Sequence, residues 1–192
     1  MILSVDKLEP FTDSRGIFLK LMEDGTYPKN NEANHNTFRP IQSFFTVTRK
    51  SSIRGMHFYQ SPSVSKNLIC QLRSEILSKT RGEIRKSFVI ISGEIFLAAI
   101  DLRPNSETFG TIETLNLNAY DQVSIPRMVA TGFQVISNEA TVLYFLDSVH
   151  KPDQDITINP ISCGITWPLS IGAISYRDLN AVTLEEYYAL KK

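Results

Sequence analysis

Short runs of β-forming residues recur along this chain at intervals of about ten residues, and this feature limits its possible folds more than any other. The runs are rich in Val, Ile, Phe, Thr and Tyr, and turn sequences such as Pro104-Asn-Ser separate them. They cover residues 16–21, 41–48, 87–91, 95–102, 122–125, 132–136 and 141–146. This spacing predicts an all-β sandwich or barrel, and the absence of repeats and linkers predicts one domain over residues 1–192.

The charge balance narrows the possible partners. Twenty Lys and Arg residues match twenty Asp and Glu residues, and the pI is about 6.8. No overall positive field exists to attract nucleic acid or an anionic membrane, so we expect neither partner. The first ten residues lack the basic and apolar segments of a signal peptide. Cys70 and Cys163 are not spaced as a metal or disulfide motif, which predicts reduced, buried thiols in a cytoplasmic protein.

Two segments have helical rather than strand periodicity. Residues 65–79 place apolar side chains at Ile69, Leu72 and Ile76, with charged residues between them, and we expect this stripe to pack near a site mouth or a subunit interface. Residues 183–190 carry Thr183 and Glu186 in the spacing of a capping box, which predicts a short C-terminal helix.

The three histidines give little support to a metal site. His35, His57 and His150 are far apart in sequence, and no His-x-His pair is present, so we expect no metal and no cofactor. Arg54 and His57 would point to opposite faces of a regular strand, but a bulge at Gly55 could turn both inward. These residues alone do not distinguish a core histidine from a functional one.

Several motifs, in order, resemble one known family. Arg54-Gly-Met-His57 followed by Gln60 is similar to the Arg-Gly-Leu-His-x-x-Gln motif of the dTDP-4-dehydrorhamnose 3,5-epimerase family. The other matching segments are Asp13-Ser-Arg-Gly-Ile-Phe18, Ile100-Asp-Leu-Arg103, Ser106-Glu-Thr-Phe-Gly110, Ile125-Pro126 through Gly132-Phe133, Leu143-Tyr144, Trp167-Pro168 and Ser175-Tyr-Arg-Asp178. The resemblance runs from about residue 10 to residue 185.

This resemblance implies a dimeric, cupin-like jelly-roll β-barrel with a few short helices, which binds a nucleotide sugar. The implied reaction moves protons at carbon 3, carbon 5 or both of a 4-keto-6-deoxy sugar, because both carbons are α to the ketone. His57 is the implied base, Asp178 its orienting carboxylate, Tyr144 the acid and Lys86 the group beside the enolate oxygen. The implied substrate-binding residues are Arg15, Phe18, Gln42, Arg54, Thr131 and His150.

The chain departs from the family pattern at several of these positions. Thr131 stands where the family has a second histidine, His150 where it has a tyrosine, Phe44 where it has an asparagine and Lys20 where it has a glutamate. Residues 63–82 resemble an insertion between the base and the lysine. The proton-transfer residues are kept while part of the ligand-orienting set is not, which predicts altered substrate or regiochemistry.

Two other functions remain open from the sequence. A non-catalytic cupin could bind a nucleotide sugar or a partner protein, and a metal-dependent cupin enzyme could use ligands that converge only in space. The combined presence of a base, an acid and an enolate-stabilising lysine favours the isomerase over a binding module.

Overall fold

The structure, a computed structural model, describes residues 1–21, 38–60 and 84–190. Within these ranges the chain forms twelve β-strands, one 3₁₀ turn at Pro160–Cys163 and two short α-helices. The strands are β1 Ser4–Lys7, β2 Phe11–Asp13, β3 Gly16–Phe18, β4 Gln42–Arg49, β5 Ile53–Tyr59, β6 Lys86–Ser92, β7 Glu94–Asp101, β8 Ile112–Asn118, β9 Asp121–Ile125, β10 Val129–Val135, β11 Glu139–Leu146 and β12 Asp155–Thr157. The helices are α1 Tyr176–Leu179 and α2 Leu184–Ala189.

The strands of the described part form two antiparallel sheets and a separate hairpin. One sheet has the order β1-β9-β6-β11-β4, the other has the order β12-β5-β10-β7-β8, and β2 pairs with β3. Most strands that are neighbours in a sheet are distant in sequence, as in a jelly roll. The sheets therefore bring together residues from distant parts of the chain. The predicted all-β, cupin-like architecture with few short helices is confirmed.

The main core lies between the two sheets. Phe88 and Val142 of the first sheet pack with Leu97 and Phe133 of the second, and all four are buried. Every residue of β10 is buried, because β5 and β7 flank this strand. The β4 strand lies at the edge of its sheet and keeps several large side chains exposed. The core between the sheets is therefore well packed, while the β4 edge of the first sheet is open to a neighbour.

Most of the sequence-based elements are confirmed. The predicted runs match β4, β6, β7, β9, β10 and β11 within a few residues, while the run at residues 16–21 gives only the short β3. In α2, the Thr183 hydroxyl accepts from the Glu186 N–H and the Glu186 carboxylate accepts from the Thr183 N–H, so the capping box is present. The helix predicted at residues 65–79 lies outside the described residues.

Two further features bear on the sequence expectations. Cys163 is buried, and burial raises the pKa of its thiol to about 11, so it is an unreactive core residue; Cys70 lies outside the described residues. Over residues 1–21, 38–60 and 84–190, no helix is long and apolar enough to cross a membrane.

Candidate active site

A cavity of about 830 Å³ opens between the two sheets, and β4, β5, β6 and β11 supply much of its wall. A segment at residues 173–178, just before and within α1, closes one side. Seven of the ten residues predicted from the sequence line this cavity: Gln42, Arg54, His57, Lys86, Tyr144, His150 and Asp178. Residues separated by more than 130 positions in the sequence therefore meet in one space of ligand size.

A β-bulge places Arg54 and His57 on the same cavity. His57 pairs with Thr131 of β10, but Arg54 pairs with Phe133, so two residues of β5 stand opposite the single residue Gly132. Gly55 has a φ of 120°, and a Cβ there would lie 2.4 Å from the Gly132 Cα. Glycine is therefore required at this crossing, and the bulge that the sequence left open as a possibility is present.

His57 and Asp178 form a hydrogen-bonded pair in the cavity wall. His57 Nε2 lies 2.8 Å from Asp178 Oδ1, and the Gly55 N–H donates to Asp178 Oδ2 at 3.5 Å. Burial on its own raises the pKa of the Asp178 carboxyl, but His57, Ser175 and the Gly55 N–H together outweigh it and hold that pKa below its ordinary value. The carboxylate therefore stays ionised and fixes the imidazole with a proton on Nε2, which leaves the Nδ1 lone pair as the basic position.

Helix α1 holds this carboxylate in place. The Ser175 hydroxyl caps the helix by accepting from the Asp178 N–H at 3.0 Å. Arg177 donates to both the carboxylate and the carbonyl oxygen of Asp155 on β12, at 3.1 and 2.9 Å. Strand β12 pairs with β5 at His57. The two Arg177 bonds therefore tie helix α1, which carries Asp178, to the strand next to His57.

Lys86 and Tyr144 lie on the opposing sheet. The Lys86 ammonium donates to the His57 carbonyl oxygen at 2.6 Å, and burial lowers its pKa to about 8. Burial raises the pKa of the Tyr144 phenol to about 12, so the phenol is protonated at neutral pH. The cavity thus combines a carboxylate-oriented imidazole, an ammonium group and a neutral phenol.

A second group of polar side chains lines the cavity beyond these four. The Tyr59 hydroxyl and His150 Nδ1 are hydrogen-bonded at 2.8 Å, and the His150 backbone N–H donates to the Gln42 side chain at 2.6 Å. Arg54 donates through Nε to the Thr48 hydroxyl at 2.7 Å, which holds the guanidinium at the wall, and among the described residues no hydrogen bond engages its terminal nitrogens. These contacts fix donors and acceptors around the remaining cavity space.

Three predicted residues lie elsewhere. Arg15 and Phe18 are exposed on the β2–β3 hairpin, where Arg15 binds Asp13, and neither lines the cavity of its own chain. Thr131 is buried and borders a smaller adjoining cavity of about 50 Å³ that His57 and Tyr144 also line. The structure therefore places Thr131 beside the proton-transfer groups rather than on the main cavity.

Sequence reasoning missed Tyr59, Asp155 and Arg177, which all line the main cavity. Strand alternation from His57 could have identified Tyr59, because residues two apart on a strand share a face. Arg177 directly precedes Asp178 within the recognised motif, but no local signal marks Asp155. In the described part of the chain, no group of three or more His, Cys, Asp or Glu side chains is arranged to hold a metal ion.

Comparison with protein families gives a direct match. Residues 78–186 match the family model described as dTDP-4-dehydrorhamnose 3,5-epimerase. A protein of that name from Neisseria gonorrhoeae is 31% identical over 182 residues, which cover 92% of this chain and 48% of the relative. The chain therefore spans about half the length of that relative. A dTDP-4-dehydrorhamnose 3,5-epimerase from Mycolicibacterium smegmatis is 29% identical over 93% of this chain and 79% of the relative.

One relative has a narrower name, and two solved structures share the fold. A dTDP-4-dehydrorhamnose 3-epimerase from Streptomyces niveus is 26% identical over 93% of this chain and 77% of its own length. NovW, a 4-keto-6-deoxy sugar epimerase of Streptomyces spheroides, superposes with a TM-score of 0.78 at 24% identity, covering 99% of this chain and 86% of its own. An epimerase of Legionella pneumophila, solved with dTDP-4-keto-L-rhamnose, superposes with a TM-score of 0.75 at 26% identity. The match covers 95% of this chain and 88% of the Legionella chain.

Proposed function

The chain belongs to the dTDP-4-dehydrorhamnose 3,5-epimerase family, and on that premise we propose that it is an isomerase of a nucleotide-linked 4-keto-6-deoxy sugar. It epimerises carbon 3, carbon 5 or both by removing a proton and returning one to the opposite face. The observation that carries this proposal is the meeting of His57, Asp178, Lys86 and Tyr144 on one cavity of about 830 Å³.

The His57–Asp178 pair removes the proton. A hydrogen on the carbon next to a ketone is acidic because its loss gives an enolate, with the electron pair delocalised onto the ketone oxygen. His57 Nδ1 takes this proton, and Asp178 stabilises the resulting imidazolium through the 2.8 Å hydrogen bond to Nε2. Solvent exchange at the imidazole then replaces the abstracted proton, so a returning hydrogen carries the solvent isotope.

Lys86 stabilises the enolate and Tyr144 returns a proton. One N–H of the Lys86 ammonium is used by the His57 carbonyl oxygen, and within the described part of the chain the other two are left as donors for the developing negative oxygen. The Tyr144 phenol, with its pKa raised to about 12, keeps its proton until a basic carbanion accepts it. The resulting phenolate recovers a proton from solvent, which completes the cycle without a cofactor.

The rest of the cavity accommodates the nucleoside diphosphate. The terminal nitrogens of Arg54 suit a diphosphate oxygen pair, because a guanidinium donates in a planar fork. Gln42, Tyr59 and His150 line the part of the wall that we assign to the nucleoside. The His150 backbone N–H donates to the Gln42 side chain at 2.6 Å, which holds this part together. Thr131 contacts the sugar end, since its small cavity adjoins His57 and Tyr144.

We propose that the protein is a homodimer, formed through the exposed β4 edge. Ile41, Phe45 and Val47 are 67%, 66% and 51% exposed on or beside this edge strand, which a single chain leaves without a neighbour in the described part. In the dimer, the hairpin with Arg15 and Phe18 from one copy completes the cavity of the other. Sedimentation of the wild type and of Phe45→Asp tests this. We expect the wild type to be a dimer and Phe45→Asp to be a monomer. A monomeric wild type would contradict the proposal.

We also propose that the protein acts in the cytoplasm, where a buried free thiol such as Cys163 stays reduced. This compartment is consistent with a nucleotide sugar as substrate. Fractionation of cells that make the tagged protein tests it, and recovery outside the cytoplasmic fraction would contradict it.

The test of activity is proton exchange. The purified protein is incubated in D₂O with a panel of dTDP- and UDP-linked 4-keto-6-deoxy sugars, and deuterium in the recovered sugar is measured by mass spectrometry. dTDP-glucose is the matched control, because it has no ketone to acidify the neighbouring hydrogens. We expect deuterium only in a keto sugar. Tight binding of these sugars without deuterium uptake would instead identify a non-catalytic sugar-nucleotide-binding protein.

A further inference from the structure

We propose that Asp155 is the counter-charge that keeps the Lys86 side chain an ammonium ion, and that Arg177 fixes the Asp155 carboxylate in the place where it does so. The inference rests on the proposed isomerase function and deepens it, because Lys86 is the group assigned to the enolate oxygen. It identifies Asp155 as a positioning residue, which acts on the reaction through Lys86.

The Lys86 ammonium lies in the wall of the main cavity, where water stabilises its charge less than at the protein surface. One of its N–H groups donates to the His57 carbonyl oxygen at 2.6 Å, but that oxygen carries no net charge. Burial lowers the pKa of Lys86 to about 8. Any further loss of stabilising charge would therefore convert the ammonium into a neutral amine near neutral pH.

Two carboxylates line this cavity among the described residues, those of Asp155 and Asp178. Asp178 is already bonded to His57, whose Nε2 lies 2.8 Å from the Asp178 Oδ1. Asp155 lies on β12 opposite Tyr59, which is two residues along β5 from His57 and shares its face. Since the His57 carbonyl oxygen binds Lys86, Asp155 is the carboxylate in place to balance the ammonium.

The charge of Asp155 acts on side chains of two different strands. On Lys86 it opposes the effect of burial, and on Tyr59 it adds to burial in raising the pKa of the phenol to about 12. A negative charge favours the protonated form of both groups, which agrees with both directions. Asp155 therefore acts as a charge within the cavity as well as an acceptor for Arg177.

Arg177 holds the Asp155 carboxylate in this place. It donates to the carboxylate at 3.1 Å and to the Asp155 carbonyl oxygen at 2.9 Å, so one guanidinium fixes both the side chain and the backbone. The Asp155 side chain is 9% exposed, whereas that of Arg177 is 54% exposed. Water therefore screens the arginine charge more than the carboxylate charge, and the pair keeps a net negative effect inside the cavity.

Besides Arg177, the other titratable groups in the described part of the cavity wall supply no negative charge at neutral pH. A histidine is either neutral or positive, and burial raises the pKa of both tyrosines to about 12, so both keep their protons. These groups are Arg49, Arg54, His57, His150, Tyr59 and Tyr144.

The strands on either side of β6 do not replace Asp155 either. On β9, the register partner of Lys86 is the apolar Ile125. Asp147 directly follows β11, which pairs with β6 at Lys86. Arg85 and Arg127 both donate to the Asp147 carboxylate at 3.0 Å, so two cations share its charge.

The experiment measures the pKa of Lys86 itself. The lysine Cε resonances are followed against pH by NMR in protein labelled at that carbon, and Lys86→Arg identifies the resonance of Lys86. We expect Asp155→Asn to lower the Lys86 pKa by about one unit, because an opposite charge nearby favours the charged form. Asp155→Ser is a second neutral variant in case Asp155→Asn does not fold, and Asp155→Glu should restore the wild-type pKa.

Two further variants separate the charge from the contacts. Arg177→Gln keeps the carboxylate and an amide donor but removes the cation, so the Lys86 pKa should equal the wild-type value or exceed it. Asp121→Asn is the matched control, because Asp121 also forms an ion pair, with Lys7 at 2.9 Å, but does not line the cavity. It should leave the Lys86 pKa and the turnover number unchanged.

The turnover number should follow the pKa of Lys86. The ratio of Asp155→Asn to wild type should fall about tenfold between pH 6 and pH 9, the effect of lowering one controlling pKa from about 8 to about 7. In the Lys86→Arg background, Asp155→Asn should not move the alkaline limb.

An unchanged Lys86 pKa in folded Asp155→Asn would overturn the inference. So would a turnover number that falls equally at every pH in Asp155→Asn and Arg177→Gln, because that result would mean that the pair only fastens α1. If Asp155→Asn lowers the Lys86 pKa but no keto sugar takes up deuterium, the counter-charge stands and the proposed function is wrong, so the two failures are distinct.

Discussion

The Lys86 ammonium is hydrogen-bonded to the backbone carbonyl oxygen of His57 at 2.6 Å, so the residue that carries the imidazole also anchors the cation. Lys86 begins β6 of one sheet and His57 lies in β5 of the other. The contact therefore crosses the interior between the sheets and fixes the spacing of the two groups. In the proposed mechanism, this spacing sets the distance between the proton that leaves and the oxygen that gains charge.

This contact leads to a prediction about alkaline pH. Burial lowers the pKa of Lys86 to about 8, so the ammonium is present below that pH and is lost as the pH rises through it. The turnover number should fall above about pH 8, because a neutral amine stabilises an enolate poorly. In Lys86→Arg the side chain stays charged, so whatever turnover number this variant retains should begin to fall only at a higher pH than in the wild type. Identical alkaline limbs in both proteins would show that another group titrates.

A second prediction concerns Arg54. Arg54→Ala should raise KM about 10- to 100-fold with a smaller effect on kcat, because it would remove the charge-assisted hydrogen bonds that we propose to the diphosphate. Arg54→Lys should restore little, since an ammonium cannot bond Thr48 through one nitrogen and the substrate through two others. Steady-state kinetics give both constants. Arg39→Ala, at an exposed position outside the cavity lining, is the control and should match the wild type.

The bulge in β5 gives a third prediction. Gly55→Ala should lower both stability and activity, because the new Cβ would lie 2.4 Å from the Gly132 Cα and the residue has a φ of 120°. Gly164→Ala is the control: its φ is also positive, at 68°, but nothing lies within 4 Å, so it should cost only about 1–2 kcal/mol of backbone strain. Urea unfolding measures both variants. Equal destabilisation would mean that the close approach to Gly132 is tolerated.

The parts of the structure that the sequence predicted correctly depend on local chemistry. The capping box of α2 needs only Thr183 and Glu186, three residues apart, and it forms as expected. The β-runs are also local, since alternation and turn residues are visible within ten positions. The family resemblance located Asp178 and Tyr144 on the cavity, although the sequence around them alone is compatible with a loop acid and an ordinary strand tyrosine.

The parts that the sequence could not give depend on register between distant strands. The stack of Phe44 on Tyr144 exists because β4 pairs with β11 in one register, and a shift of one residue would turn Phe44 away. Asp155 reaches the cavity because β12 adds to β5, which no periodicity indicates. Arg15 and Phe18 were expected to bind substrate, yet they lie outside the cavity of their own chain, so that role depends on the proposed second copy.

The central claim is that His57, oriented by Asp178, removes a proton from the sugar, and isotope exchange tests it most directly. The wild type, His57→Ala and Asp178→Asn are compared for the initial rate of deuterium uptake from D₂O into dTDP-4-keto-6-deoxyglucose, with circular dichroism to check folding and an enzyme-free sample as background. We expect His57→Ala to lose about 10²- to 10⁴-fold and Asp178→Asn to lose part of that. A folded His57→Ala protein that exchanges at close to the wild-type rate would contradict the account.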